Sequence, residues 1–259
     1  MPPSRSKPRS RRSDVTTNYD GPFRWLVERP IAHRGLHDGN RAIPENSVPA
    51  ALAAIAAGYA IECDVQMSAD GTPHVFHDAT LNRMTGRHAA IATQSDGDLA
   101  GLTLGRSTAT IPTLQRFLAV VAGQVPVVIE LKGNDKARDR DYFSRVKPLV
   151  DAYHGPLALM SFEEWLIDQM LADRPDGRPI GLTADGKRAS VLATHRAIFE
   201  RGCDFTSYDV HDLPNGFVGW VREECRAPVI SWTVRNEHEY AVSRRHADQI
   251  TFEDFAPQQ

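Results

Sequence analysis

Cysteine is scarce in this chain, and the little there is has no pairing pattern. Cys63, Cys203 and Cys225 are the only three in 259 residues. An odd, widely spaced set supplies neither a disulfide framework nor the close spacing of a structural zinc site, so a reducing cytoplasm is the expected location. Long apolar runs are missing as well, and none approaches the roughly 20 residues that a membrane-spanning helix needs. No charge of one sign dominates. A net charge of -3 gives no electrostatic reason to expect nucleic acid or an anionic membrane as partner, nor stable insertion into a bilayer. The first residues, MPPSRSKPRSRR, are basic and rich in Pro and Ser, but the apolar core of a signal peptide does not follow them. Residues 1–22 therefore read as a disordered basic tail and 23–259 as a single domain.

What is present is an ordinary globular composition, 41% hydrophobic and 24% charged, at a length typical of one α/β barrel. After a short apolar plug around Phe23 to Val27, PIAHRG reads as a strand ending at His33, Arg34 and Gly35. A loop and an Ala-rich helix over 48–57, with Ser47 as N-cap, lead to a second strand, so the chain opens as a βαβ unit. VPVVIELK (125–132) is a near-continuous apolar run, as expected of a parallel strand covered on both faces. LALMSF, PIGLTA, DFTSYD, PVISWTV and DQITFED follow, each separated by a helical segment. Nine strands result. Setting one aside as a hairpin return leaves eight, which predicts a (β/α)8 TIM barrel with a small hairpin insertion after the second strand.

The hairpin lies in IECDVQMSADGTPHVFHD (61–78). Residues two apart on a strand share a face, so Glu62 and Asp64 point together and Cys63 points away. Asp70-Gly71 is a tight-turn dipeptide, and a turn centred between the two puts position 64 opposite His77. In a barrel the chemistry lies at the carboxyl ends of the strands, where this chain offers His33 and Arg34, Glu62 and Asp64, then Glu130 and Lys132. Ser161, Thr183, Tyr208, Trp232 and Thr233 stand at the later ends. Three carboxylates make a hard oxygen cage suited to magnesium, calcium or manganese rather than zinc. Arg34 and Lys132 beside it call for an anion, with phosphate the natural candidate. His33 and His77 suit proton transfer near neutral pH. A metal, two cations and two histidines around one anion describe phosphodiester cleavage, because attack and departure occur on opposite sides of phosphorus and each needs its own proton carrier. His37, His74, His88 and His154 read as solvated or structural, and Trp232 as a core residue or an apolar wall for substrate.

HRG (33–35), PENS (44–47), ECDV (62–65), DGTPHVFHD (70–78), LNRMTG (81–86), IPTL (111–114) and ELK (130–132), with SWTV near the end, resemble the glycerophosphodiester phosphodiesterases. The match runs from about 31 to 255, dense over its first hundred residues and thin from 163 to 226. The resemblance implies a TIM barrel that hydrolyses a small glycerophosphodiester to an alcohol and glycerol 3-phosphate with one divalent cation. It carries the catalytic pair onto His33 and His77, the metal ligands onto Glu62, Asp64 and Glu130, and phosphate contacts onto Arg34 and Lys132. Glu45 would edge the site, and the segment after the hairpin would cover the barrel mouth. The ending DQITFEDF departs from the family's usual pattern, which leaves the last strand's contribution open. Two rivals remain: a lysophospholipase D-like enzyme cleaving lysolipid headgroups, which calls for an apolar rim, and a non-catalytic barrel that binds phosphate esters. Oligomeric state and the alcohol on the phosphate are not legible.

Overall fold

The apolar strand runs and Ala- or Leu-rich helical segments alternate as expected, and a computed structural model describes residues 19–257 of the chain. The residues expected to form a basic tail lie outside that range as far as position 18. The strands are β1 (Ile31–Ala32), β2 (Ala60–Met67), β3 (Pro73–Val75), β4 (Val127–Leu131), β5 (Leu157–Ser161), β6 (Ile180–Ala184), β7 (Phe205–Asp209), β8 (Val229–Val234) and β9 (Gln249–Phe252). Eight of them are parallel, running in the order β1-β9-β8-β7-β6-β5-β4-β2, and β1 also pairs with β2, so the ring closes. This is the expected (β/α)8 barrel.

Among the described residues, eight helices follow the strand ends or the hairpin: α1 (Val48–Ala57), α2 (Asn82–Thr85), α3 (Asp96–Ala100), α4 (Leu114–Val121), α5 (Tyr142–Asp151), α6 (Glu164–Ala172), α7 (Ala189–Phe199) and α8 (Gly216–Glu223). A ninth, α9 (Glu237–His246), precedes β9. Ser47, Thr113, Asn215 and Asn236 each accept a backbone N–H of the first turn, which explains where α1, α4, α8 and α9 begin. No helix among the described residues is long and apolar enough to cross a membrane.

Strand alternation sorts the apolar residues into two layers. Ile61, Cys63, Val65, Ile129, Leu159 and Leu182 face outward and pack beneath the helices. Ile31, Ala60, Val128, Ala158, Met160, Phe205 and Ile230 fill the barrel interior, and Leu26 of the opening 3-10 turn stops its lower end. The three cysteines are free, with Cys63 and Cys203 buried and Cys225 exposed.

β3 takes an edge that β1 is too short to use. Val65 pairs with Leu131 of β4 and with Val75 of β3 at once, so β3 occupies the side of β2 above the two-residue β1. The turn differs from expectation by one residue. Val65 opposes Val75, Gln66 opposes His74, and the Phe76 N–H donates to the Asp64 carbonyl, so Asp64 faces Phe76 rather than His77. The reason is a three-residue loop, closed by the Ser68 N–H on the Thr72 carbonyl, with Gly71 in the left-handed region at φ 75°. β3 ends at Val75, and His77 hangs beyond it on irregular backbone. The following segment has its own small core of Phe76, Leu81, Met84, Ile91, Leu99, Leu104 and Ile111, so its large apolar residues are turned inward.

Candidate active site

Backbone geometry at the end of β1 sets the first cluster. Arg34 sits at φ 55° and Gly35 at φ 76°, a sharp reversal in which a Cβ at Gly35 would stand 2.8 Å from that of Ala50. The reversal is held by β2: the Arg34 N–H donates to Glu62 Oε2 (2.8 Å), and the Gly35 N–H to the Glu62 carbonyl (3.1 Å). Asn46, also at positive φ, donates through Nδ2 to Asp64 Oδ2 (2.8 Å) and accepts the Asp64 N–H (3.1 Å). The PENS loop thereby locks the Asp64 carboxylate from outside.

Glu62, Asp64 and Glu130 are 2%, 1% and 7% exposed, and one oxygen from each lies within 4.8 Å of the others. Asp64 and Glu130 stand opposite one another in register on adjacent strands. Packing three buried carboxylates together has an electrostatic consequence. Burial first, then Asp64 and Glu130, push the Glu62 carboxyl well above its ordinary range. Burial raises Glu130 to about 6 against the pull of Lys132. Burial opposes ionisation of Asp64 too, but Lys132, His77 and Arg34 overcome it and hold that carboxyl low. Glu62 Oε1 is buried and has no hydrogen-bond partner among the described residues. Acidic oxygens that repel each other, one of them unpartnered, fit a hard divalent cation, and these three residues would hold it.

Lys132 bonds Glu130 directly and approaches Asp64 Oδ1 at 3.2 Å, while Arg34 reaches Asp64 Oδ2 at 3.4 Å and Glu45 Oε1 at 2.7 Å. Burial would lower the Lys132 ammonium, but Asp64 and Glu130 outweigh it and keep it charged. Glu45 is held in turn by Arg83 of α2, whose guanidinium also grips Asp78 (2.7–2.9 Å). Burial opposes the Glu45 charge, yet Arg83 and Arg34 bring its carboxyl down to about 2.

Each histidine has a carboxylate behind it. His33 Nδ1 lies 2.6 Å from Glu253 Oε2, and its Nε2 lies 4.0 Å from Glu62 Oε2. His77 Nδ1 lies 2.7 Å from Asp78 Oδ1, and the His77 carbonyl accepts from Gln66 Nε2 (2.6 Å), which places the ring although β3 has ended. With Nδ1–H donated to a carboxylate, each ring keeps Nε2 for the pocket. Burial lowers both imidazoles below their ordinary value, opposed by Glu253 at His33 and by Asp64 at His77.

His33, Arg34, Glu62, Asp64, His77, Glu130 and Lys132 meet in one pocket of about 140 Å³ and line one side of it. Met160, Phe162, Thr183, Ser207, Trp232, Thr233, Arg235 and Thr251 line the other. His33, His77, Glu62, Asp64, Glu130, Arg34, Lys132 and Trp232, the residues the sequence singled out, all line this mouth, with Glu45 just outside as the partner of Arg34. Two strand-end readings do not hold. Ser161 and Tyr208 point outward: the Ser161 hydroxyl donates to the Leu131 carbonyl and Tyr208 lies in the outer core, because the inward positions on β5 and β7 are Met160 and Ser207. Sequence reasoning missed Asn46, Asp78, Arg83 and Glu253. Glu253 carried a usable signal, since it follows directly on the last strand. His37 approaches the same Glu253 oxygen at 3.6 Å, and His74 is buried against Asp96 at 3.1 Å.

A family profile described as the glycerophosphoryl diester phosphodiesterase family matches residues 33–253. Among solved structures, an Oleispira antarctica phosphodiesterase in complex with the product sn-glycerol-3-phosphate is 22% identical, with 90% of this chain and 96% of that chain covered and a TM-score of 0.75. A glycerophosphodiester phosphodiesterase from Thermotoga maritima is 23% identical (86% and 92% covered, TM-score 0.69). One from Parabacteroides distasonis is 24% identical (86% and 92% covered, TM-score 0.68). No curated protein sequence matches.

Proposed function

The chain belongs to the glycerophosphoryl diester phosphodiesterase family, and from that premise we propose that His33 and His77 are the proton carriers of a metal-dependent hydrolysis that releases glycerol 3-phosphate and an alcohol. The observation that carries this reading is the convergence of three buried carboxylates, two cations and two carboxylate-backed histidines on one small pocket. Glu62, Asp64 and Glu130 would hold one divalent cation, with magnesium, calcium and manganese the candidates by ligand type. When bound, such a cation supplies Lewis-acid polarisation of a phosphoryl oxygen and favours the charge that develops there.

The remaining steps belong to the chain. Arg34 and Lys132 present cationic N–H groups to the phosphate, and their carboxylate partners keep both charged and aimed. One imidazole Nε2 accepts the proton of the attacking hydroxyl as its oxygen bonds to phosphorus. The other gives a proton to the departing alkoxide as the phosphorus–oxygen bond breaks. The nucleophile is water, or a glycerol hydroxyl next to the phosphate, which would give a cyclic phosphate first; trapping that intermediate separates the two. Among the described residues Phe162 is the one large exposed apolar residue at the mouth, too little for the apolar rim of a lysolipid enzyme. A small water-borne diester in the cytoplasm, where the free cysteines also belong, is therefore the substrate we assign.

The test is release of glycerol 3-phosphate from glycerophosphocholine by metal-stripped protein, with magnesium, calcium or manganese returned one at a time. Metal-dependent release supports the reading and ranks the ions. No release from this or any other glycerophosphodiester with any ion would leave a phosphate-ester-binding barrel.

A further inference from the structure

His77 stands on irregular backbone past the end of β3, where no strand holds it in place. Asp78 orients its ring and Arg83 grips Asp78, but both belong to the same inserted segment and move with it. The Phe76 N–H on the Asp64 carbonyl (2.9 Å) keeps the chain on β2 for one residue beyond Val75. From there a pair of side-chain amides takes over.

Gln66 lies on β2 two residues past Asp64, so its side chain starts from the same face as Glu62 and Asp64. It is 1% exposed, and both ends of its amide are used. Nε2 donates to the His77 carbonyl (2.6 Å), and Oε1 accepts from Asn134 Nδ2 (2.6 Å). This orientation is forced, because a carbonyl only accepts: Nε2 must face His77, so Oε1 faces Asn134 and Asn134 must donate. Asn134 stands two residues after Lys132 in the loop that leaves β4. The buried Asp139 carboxylate takes the N–H groups of Asn134 (3.1 Å) and Asp135 (3.2 Å), and the Tyr142 hydroxyl donates to the Val65 carbonyl. A Cβ at Gly133 would stand 2.1 Å from the Trp165 ring, so glycine lets the loop pass there. The loop is thus hung on β2 at Val65 and Gln66. A neutral chain of bonds then runs from the strand end that carries Lys132 to the backbone of His77. Neutrality suits the place, since a charged link would act on the three carboxylates nearby.

We propose, resting on the reaction assigned above, that Gln66 and Asn134 are positioning residues whose paired amides clamp the His77 backbone to the end of β4. The clamp sets the distance between the His77 imidazole and the phosphate held at Lys132. Neither amide touches the reacting atoms; both act through His77.

Double-variant cycles on the full-length protein test this, with glycerophosphocholine and the ion that supports most turnover. Gln66→Met keeps length and burial but cannot donate, and should lower kcat about ten- to a hundredfold, the scale of a misplaced proton carrier. Asn134→Ala, in the exposed loop, should lower it by a smaller factor. KM and calorimetric metal affinity should stay near wild type in both. The deciding readout is the His77→Ala background, where neither substitution should lower kcat further, since a positioning residue acts only through what it positions. Losses that persist there in full, or single variants with wild-type kcat, would overturn the clamp. Should Gln66→Met fail to fold, Asn134→Ala carries the same cycle. Failure of the parent reading looks different: His77→Ala would itself cost nothing, or wild type would release no product. In that event NMR still reads the clamp. Exchange of the His77 Nδ1–H with water should quicken about tenfold or more in Gln66→Met, and unchanged exchange would overturn it.

Discussion

The two halves of the barrel mouth are built on opposite principles. Strands β1, β2 and β4 present charge: three carboxylates, an arginine, a lysine and a histidine, each bonded to another charged group or to a backbone amide. Strands β6, β7 and β8 present neutral hydroxyls and an indole, and Thr183 Oγ1, Ser207 Oγ and Trp232 Nε1 have no hydrogen-bond partner among the described residues. Burial acts differently on the two. On the charged half it makes each ion depend on its neighbours, so losing one disturbs the rest. On the neutral half it leaves hydrogen-bonding capacity for a ligand. One half is therefore suited to chemistry and the other to selection.

The largest expected effects lie on the charged half. His77→Ala should lower kcat by about 10²–10⁴-fold, the usual worth of a positioned proton carrier, while calorimetric metal affinity stays near wild type. Loss of metal binding with it would make the ring a ligand. Glu62→Gln should do the reverse and weaken metal binding; unchanged affinity would break the carboxylate cage as assigned.

Glu253 blurs the division, because it follows β9 yet serves His33 from across the ring closure. Glu253→Gln should lower kcat by on the order of ten- to a hundredfold, a part of what the imidazole contributes. Glu253 raises the His33 pKa against burial, so without it that pKa falls. The limb of the pH–rate profile governed by His33 should move to lower pH, whether the ring acts as base or acid. A limb that stays in place would mean Glu253 only fills space.

Arg83 tests whether the insertion belongs to the charged half. Its bonds help hold Glu45 at about 2. A carboxyl with a depressed folded-state pKa stabilises the fold above its unfolded value, and that contribution is lost as pH falls through the folded one. Arg83→Met should cost ~1–2 kcal/mol at pH 7 in urea unfolding, at the lower end for a charged bond because the guanidinium is half exposed. The difference from wild type should shrink between about pH 4.5 and 2; a difference constant with pH would place the cost in packing instead.

The smallest effect should be at Phe162, where the halves meet. Lys132 Nζ lies 5.8 Å from its ring centroid, a cation–π contact worth ~0.5–1 kcal/mol. Phe162→Leu should therefore reduce kcat/KM by only about two- to fivefold, and a larger loss would assign the ring a direct part in holding substrate.

The same contrast explains what was legible beforehand. The charged half was readable because its parts are local: Glu62 and Asp64 follow from strand alternation, and His77 is tied to them by a short hairpin. Even there the turn was misjudged by one residue, since the three-residue loop depends on Gly71 at positive φ rather than on the Asp-Gly dipeptide alone. The neutral half was harder. Which of Ser207 and Tyr208 faces inward is a question of phase, and a strand apolar on both faces gives no alternation from which to read it. Asn46 and Arg83 lie in loops and a one-turn helix, whose side-chain directions no periodicity predicts.

By itself, the sequence determined the barrel, the gathering of three carboxylates and two histidines toward its mouth, and the kind of ion and anion they suit, because strand period and strand-end position are local properties. Only the tertiary structure decided that Glu253 stands behind His33, 220 positions away in the chain, and that Thr183, Ser207 and Trp232 share one wall. Those contacts exist because β1 closes the ring between β9 and β2, and ring closure depends on every strand's stagger at once.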